Sequence, residues 1–276
     1  MYKSMMITGA GGMVGRQASD YFGEKYAVTA LTRTTLSIAD EESLKQVFQT
    51  VRPDIVLNCA VIRNEQCLHN EQLARQVNAE GVRNLAVQCR KFNAILVQLS
   101  TDYVFEGNPG GRHSEETPPC PVNLYSQTKR AGEQFALAEN TKTFVIRTGW
   151  LYGCYGDNFV HKILRKAWGG QEIGILGNQY GNPTSVSELL NMIDLLLQTK
   201  AYGVYHAVCL GRTSRLNFAR QIIREAELDV PVQEINKDRE PIFDTSLSTK
   251  KLQQTIQYTP AHWKKAFTNY IDEVKA

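Results

Sequence analysis

The sequence predicts an α/β fold: a doubly wound parallel sheet with helices on both faces, and a smaller C-terminal region. Three observations carry this expectation. Short apolar runs alternate with helix-period segments four times in the first half, without a hairpin signal between them. A glycine-rich turn joins the first of these strands to the first helix. The chain has 276 residues, 42% hydrophobic and 21% charged, enough to fill a large core.

The first strand, Met5-Met6-Ile7, runs through Thr8 into Gly9-Ala10-Gly11-Gly12-Met13-Val14-Gly15. Glycines at 9, 12 and 15 suit a tight turn, a close backbone approach and a tight helix-to-sheet contact, the geometry that seats a pyrophosphate on a helix N-terminus. Gly9, Gly12, Met13, Val14 and Gly15 are therefore candidate dinucleotide contacts. Ala27 to Leu31 is the second strand, leaving through Thr32-Arg33-Thr34-Thr35. An acid here would hold a ribose 2′-hydroxyl, whereas an arginine suits a 2′-phosphate. Arg33 thus favours NADP(H), with NAD(H) as the alternative. Asp40 caps a helix whose Leu44, Val47, Phe48 and Val51 share a face, and Pro53 ends it. Ile55 to Leu57 is the third strand. It ends in Asn58-Cys59-Ala60, where the small Cys59 and Ala60 either let a cofactor lie close or simply pack. One longer helix is expected next, with Leu73, Val77, Leu85, Ala86 and Cys89 on one face. Ile95, Leu96, Val97 and Leu99 form a buried fourth strand. Ligands of such sheets bind beyond the strands' carboxyl ends, so the chemistry is expected there.

That edge carries Ser100-Thr101-Asp102-Tyr103-Val104-Phe105, and after a polar loop Tyr125-Ser126-Gln127-Thr128-Lys129 opens a helix. Positions i and i+4 share a helical face, so Lys129 is expected beside the Tyr125 ring, favouring its phenolate. A tyrosine so tuned can give a proton to a carbonyl oxygen while hydride arrives at carbon, with the Thr101 hydroxyl bonding the same oxygen. Lys129 would also reach the cofactor ribose. The spacing alone is common: Tyr21 and Lys25 have it too, but at the far end of the first helix, where they read as structural.

Composition excludes other classes. The net charge is +3, with Lys and Arg interspersed among acids, so nucleic acid is not an expected partner. The apolar window from Leu189 to Leu197 is short and broken by Asn191 and Asp194, so no membrane span is expected. No secretory leader is expected ahead of Gly9. The six cysteines (59, 67, 89, 120, 154 and 209) have no two-residue spacing and read as reduced residues of a cytoplasmic protein. The histidines are dispersed, and no metal site is expected.

The order Gly9-x-x-Gly12-x-x-Gly15, Ser100 to Phe105, then Tyr125-x-x-x-Lys129 resembles the extended short-chain dehydrogenase/reductases, and within them the dTDP-4-dehydrorhamnose reductase family. The second half is similar too. Arg147-Thr148-Gly149-Trp150-Leu151-Tyr152-Gly153 matches that family's Arg-Thr-x-Trp-x-Tyr-Gly, Gln179-Tyr180-Gly181-Asn182-Pro183-Thr184 its Gln-x-Gly-x-Pro-Thr turn, and Leu247 to Leu252 an element before the closing helix. The resemblance implies a Rossmann domain over residues 1–150 and a mainly substrate-binding region over 151–276, with some segments returning to the first. It implies reduction of the C4 ketone of a nucleotide-linked 4-keto-6-deoxyhexose, with Thr101, Asp102, Tyr103 and Trp150 against the substrate. An indole is a flat platform for a sugar face. A homodimer is left open.

Departures concern the nucleotide and the sugar. Ser37 stands where the family has an acid near the adenosine, Asn178 replaces a common acid, and Glu240-Pro241, preceded by Arg239, replaces Arg-Pro. Two alternatives share the fold. A 4,6-dehydratase or epimerase is disfavoured because the dehydratase acid pair Thr-Asp-Glu is here Thr101-Asp102-Tyr103. A non-catalytic NADP-binding protein like the regulatory subunit of methionine adenosyltransferase is disfavoured by Trp150.

Overall fold

The computed structural model describes residues 3–235 and 242–275. The departure at Arg239, Glu240 and Pro241 lies outside them. The first half builds β1 (Ser4–Thr8), α1 (Met13–Gly23), β2 (Ala27–Leu31), α2 (Glu41–Val51) and β3 (Ile55–Asn58). Then come α3 (Asn64–Cys67), α4 (Glu71–Arg75), a π turn (Gln76–Glu80), α5 (Gly81–Lys91), β4 (Ile95–Thr101), α6 (Leu124–Glu139) and β5 (Thr143–Thr148). Asp40 does cap α2, its Oδ1 accepting from the Glu42 and Ser43 N–H groups.

The second half contributes β6 (Leu151–Tyr152), α7 (Phe159–Trp168), β7 (Ile173–Leu176), β8 (Gln179–Gly181), β9 (Thr184–Ser185), α8 (Val186–Leu197) and β10 (Gly203–His206). It closes with β11 (Thr213–Ser214), α9 (Arg215–Glu225), β12 (Val232–Ile235), β13 (Phe243–Asp244), α10 (Lys250–Ile256) and α11 (Trp263–Lys275).

The main sheet has the order β2-β1-β3-β4-β5-β10 and is parallel throughout. The chain winds one way from β1 to β2 and the other way from β3 outward, which puts a topological switch point between β1 and β3. Register aligns the carboxyl ends: Thr8 pairs with Leu31 and Asn58, and Thr101 with Thr148. A buried polar ladder crosses under that edge, Thr8 Oγ1 to Asn58 Oδ1 at 2.6 Å and Asn58 Nδ2 to Gln98 Oε1 at 2.7 Å.

One face of the sheet packs on α1 and α8 through Phe22, Leu189, Ile193 and Leu196. The other packs on α2, α5 and α6 through Phe48, Leu85 and Ala136. A separate core of α7, α9 and α11 gathers Ile163, Phe218, Ile222 and Phe267 beside the small sheets. The Tyr21 and Lys25 pair is a tether: the Lys25 ammonium reaches Tyr21 Oη at 3.1 Å and Asp194 of α8 at 2.6 Å. Among the described residues, no helix is long and apolar enough to cross a membrane.

The single helix expected after β3 is interrupted. Asn70 starts a new helix by accepting from the Leu73 N–H at 2.9 Å. Five residues further on, a π turn widens the helix around Asn78. The Asn78 side chain, 1% exposed, bonds the Ile62 N–H and C=O and the Thr128 hydroxyl. It thereby ties the loop after β3 to α6.

Candidate active site

The glycine turn closes onto the end of β3. Gly9 has φ +65°, and a Cβ there would come 2.6 Å from the Ala60 nitrogen. At Gly15 a Cβ would come 2.4 Å from the Gly9 oxygen, so the start of α1 lies hard against the turn. Gly12 differs, since its Cβ would meet nothing nearer than the Gly9 oxygen at 3.4 Å. It is the N-cap of α1, without a side-chain cap or an acid in the first turn, so the Met13 and Val14 N–H groups remain free for an anion. Arg33 lies on the exposed turn after β2, with no bonded partner among the described residues. That turn borders the glycines, Thr32 Cγ2 lying 3.8 Å from where a Gly11 Cβ would stand.

Thr101 ends β4, and Tyr125 and Lys129 lie one turn apart near the start of α6, capped by Asn123. The expected electrostatics need correction. Lys129 is 5% exposed and gives its ammonium to the Leu99 carbonyl at 2.6 Å. Its charged and polar neighbours are Glu133, Cys59 and Cys67, while burial lowers its pKa to about 8. The phenol of Tyr125 is pushed well above its ordinary value by burial, with only the Thr101 hydroxyl drawing it back. Desolvation therefore outweighs the shared helical face, and Tyr125 rests as a neutral phenol. That is the state a proton donor needs. Two of the three N–H donors of Lys129 have no acceptor among the described residues, so this buried ammonium fits ribose hydroxyls.

Asp102 stands next to the site but offers no open face. It is 2% exposed, and its carboxylate accepts from Thr245 Oγ1 at 2.6 Å and Thr101 Oγ1 at 3.2 Å. Burial raises its pKa to about 6. Both bonds tie the Asp102 carboxylate to the end of β4 and to the segment after β13. The Tyr103 ring meets that of Tyr125 edge-on at 6.2 Å, and its hydroxyl lies beside Arg215.

Trp150 has φ +49° and is 9% exposed, with Gly181 packed against the indole and the Arg215 guanidinium 3.8 Å from a ring centroid. The Arg215 cation stacks on one face of the indole, drawn by the ring's quadrupole. Cys59 and Ala60 lie against Gly9 of the glycine turn, and burial lifts the Cys59 thiol to about 12, so it is inert.

Behind the site, Glu133 is fully buried and accepts from Ser100 Oγ at 2.6 Å, Arg147 Nε at 2.9 Å and Nη2 at 2.8 Å, and Arg130 Nη1 at 2.7 Å. It locks α6 to β4 and β5. Glu133 follows Lys129 by one turn, a signal that sequence reasoning passed over. Asn78 had a weaker signal, an asparagine inside an apolar helical pattern. Arg215 had none, since its partners lie on the turn after β4, on α7 and on the loop after β5.

Comparison with known proteins places the whole chain in one family. The model of the RmlD substrate binding domain matches residues 3–276. The chain is 31% identical to the spore coat polysaccharide biosynthesis protein SpsK of Bacillus subtilis (strain 168), over 98% of this chain and 97% of that one. It is 38% identical to a dTDP-4-dehydrorhamnose reductase of Streptomyces griseus, over 76% of this chain and 71% of that one. The structure of a dTDP-4-dehydrorhamnose reductase from Bacillus anthracis str. Ames in complex with NADP superposes with a TM-score of 0.95 at 33% identity, covering 99% of this chain and 100% of that one. On the fold, the site and these matches, this chain belongs to the RmlD substrate binding domain family.

Proposed function

We propose that this protein reduces the C4 ketone of a nucleotide-linked 4-keto-6-deoxyhexose, using NADPH, as its dTDP-4-dehydrorhamnose reductase relatives are named for. The observation that carries the proposal is the neutral Tyr125 phenol with the Thr101 hydroxyl against it, one turn from a buried ammonium and at the strand edge where the glycine turn opens.

The cofactor, held by Gly9, Gly12, Met13, Val14, Gly15, Arg33, Cys59, Ala60 and Lys129, supplies a hydride when bound. Tyr125 hydrogen-bonds the ketone oxygen and gives it the phenolic proton as charge develops there. The phenolate left behind is stabilised by Thr101 and by the positive charge of Lys129, and it regains a proton from solvent. Asp102 and Thr245 hold Thr101 in register throughout. Exclusion of water around Lys129 strengthens the interaction of its charge with the phenolate.

Mixing purified protein with NADPH and dTDP-4-dehydrorhamnose, and following absorbance at the nicotinamide band, tests this. Oxidation of NADPH with formation of the C4 alcohol is expected. Binding of NADPH without oxidation would replace the enzyme with a cofactor-binding partner protein. Release of water or inversion without net oxidation would point to dehydratase or epimerase chemistry.

A further inference from the structure

Several cations packed into the fold have a carboxylate. Arg147 has Glu133 at 2.8 Å and Arg212 has Asp244 at 2.6 Å. Even the exposed Lys162 and Arg165 of α7 lie against Glu65 and Asp157. Arg215, the first residue of α9, does not. Its guanidinium lies over the Trp150 ring at 3.8 Å and near the Phe159 ring at 4.8 Å, and no carboxylate is within ion-pair distance. Burial lowers its pKa, while Tyr103 and the more distant Asp102 charge oppose that drop.

A guanidinium carries five N–H donors in a rigid fork. The Tyr103 hydroxyl lies beside that fork. A half-buried guanidinium whose fork no carboxylate takes up keeps donors to give to an arriving anion. The stacking is equally informative. Two aromatic rings hold the guanidinium plane still, and Gly181 lets the indole beneath it sit flush. Such immobilisation favours bidentate recognition of an oxyanion.

Position identifies which anion. Tyr103 stands between the two ends of the crevice: its ring meets Tyr125 and its hydroxyl lies beside Arg215. In a pyranose, C1 and C4 lie on opposite sides of the ring. A sugar whose C4 oxygen meets Tyr125 directs its anomeric oxygen, and the phosphates on it, across the crevice. We propose that Arg215, clamped on Trp150 and Phe159, binds the diphosphate of the nucleotide sugar and so fixes which end of the sugar faces Tyr125. This rests on the reading of the reaction given above.

The test separates phosphate recognition from chemistry. Binding of dTDP and of thymidine is measured by calorimetry for the full chain and for Arg215→Met and Arg215→Lys, with NADPH binding as the measure of an intact fold. Arg215→Met is expected to weaken dTDP by about 10- to 100-fold, the range for charge-assisted bonds to one group. Thymidine and NADPH affinities should move by less than about threefold on that same reasoning. In turnover, KM should rise far more than kcat falls. Arg215→Lys should keep part of the dTDP affinity. Unchanged dTDP binding in Arg215→Met, or equal losses of dTDP and thymidine, overturns the proposal. Should Arg215→Met also lose NADPH binding, Arg215→Lys decides: a weakened dTDP with intact NADPH binding supports the proposal, and unaltered dTDP binding overturns it. Arg215-dependent dTDP binding in a protein that never oxidises NADPH with the keto sugar would leave this inference standing and remove the proposed reaction.

Discussion

Replacing Lys129 with methionine should make the protein more stable while disabling it. Lys129 is 5% exposed, and burial brings its pKa from the ordinary 10.5 down to about 8. At neutral pH the ammonium is charged in both states, but the folded state holds that charge at a cost of roughly 3 kcal/mol. The sign follows from the depressed value. Between about pH 8 and 10.5 the unfolded chain binds the proton and the folded chain does not, so this group's penalty diminishes as pH rises through that window. Methionine removes the charge at similar volume. The carbonyl it abandons is not orphaned, since Leu99 O also accepts from Gln98 Nε2 at 2.7 Å. Allowing about 1 kcal/mol for the lost hydrogen bond, Lys129→Met should gain roughly 2 kcal/mol at pH 7. Urea unfolding at pH 7 and at about pH 9.5, without cofactor, reads this directly. The gain should narrow at the higher pH, and NADPH-dependent reduction should be lost at both. A variant less stable than the parent at pH 7, or a gap indifferent to pH, refutes the reasoning about desolvation.

Three further outcomes follow from the same geometry. Tyr125→Phe should lower turnover by at least about two orders of magnitude with NADPH affinity nearly unchanged, because only the proton donor is removed; parallel loss of both in a titration would make Tyr125 structural. Glu133→Gln should cost about 3–5 kcal/mol in urea unfolding, since it strands the buried Arg147, and it should move the alkaline fall in activity below the parent's by withdrawing the charge that supports the Lys129 ammonium. Stability within about 1 kcal/mol of the parent would show that the pair is dispensable. Arg33→Ala should weaken NADPH by about 1.5–3 kcal/mol and leave NADH alone, as measured by fluorescence titration of each; equal effects would move the 2′-phosphate contact elsewhere.

How far the chain could be read in advance differed between elements. Strand and helix positions around Gly9 to Gly15, the Asp40 cap and the Tyr125 to Lys129 turn were legible because each depends on residues close in sequence. The helix after β3 was misjudged for a physical reason: Asn78 spends its side chain on the distant Ile62 backbone, which periodicity does not register. Tyr125 and Lys129 were correctly brought to the strand edge but assigned the wrong electrostatics. Helical spacing says which groups share a face, and burial decides which charge survives there.

The sequence by itself determined the alternation of elements, the close approach that only glycine permits at positions 9 and 15, and the identity of a phenol, a hydroxyl and an amine at the carboxyl edge of the sheet. These are consequences of local sterics and of period. Tertiary structure alone decided that Lys129 turns to Leu99, that Asp102 sinks beneath Thr245, and that one face of Trp150 goes to Arg215. Each of those outcomes is a competition among groups far apart in the chain, settled by desolvation and by which partner the fold brings within hydrogen-bonding or stacking distance.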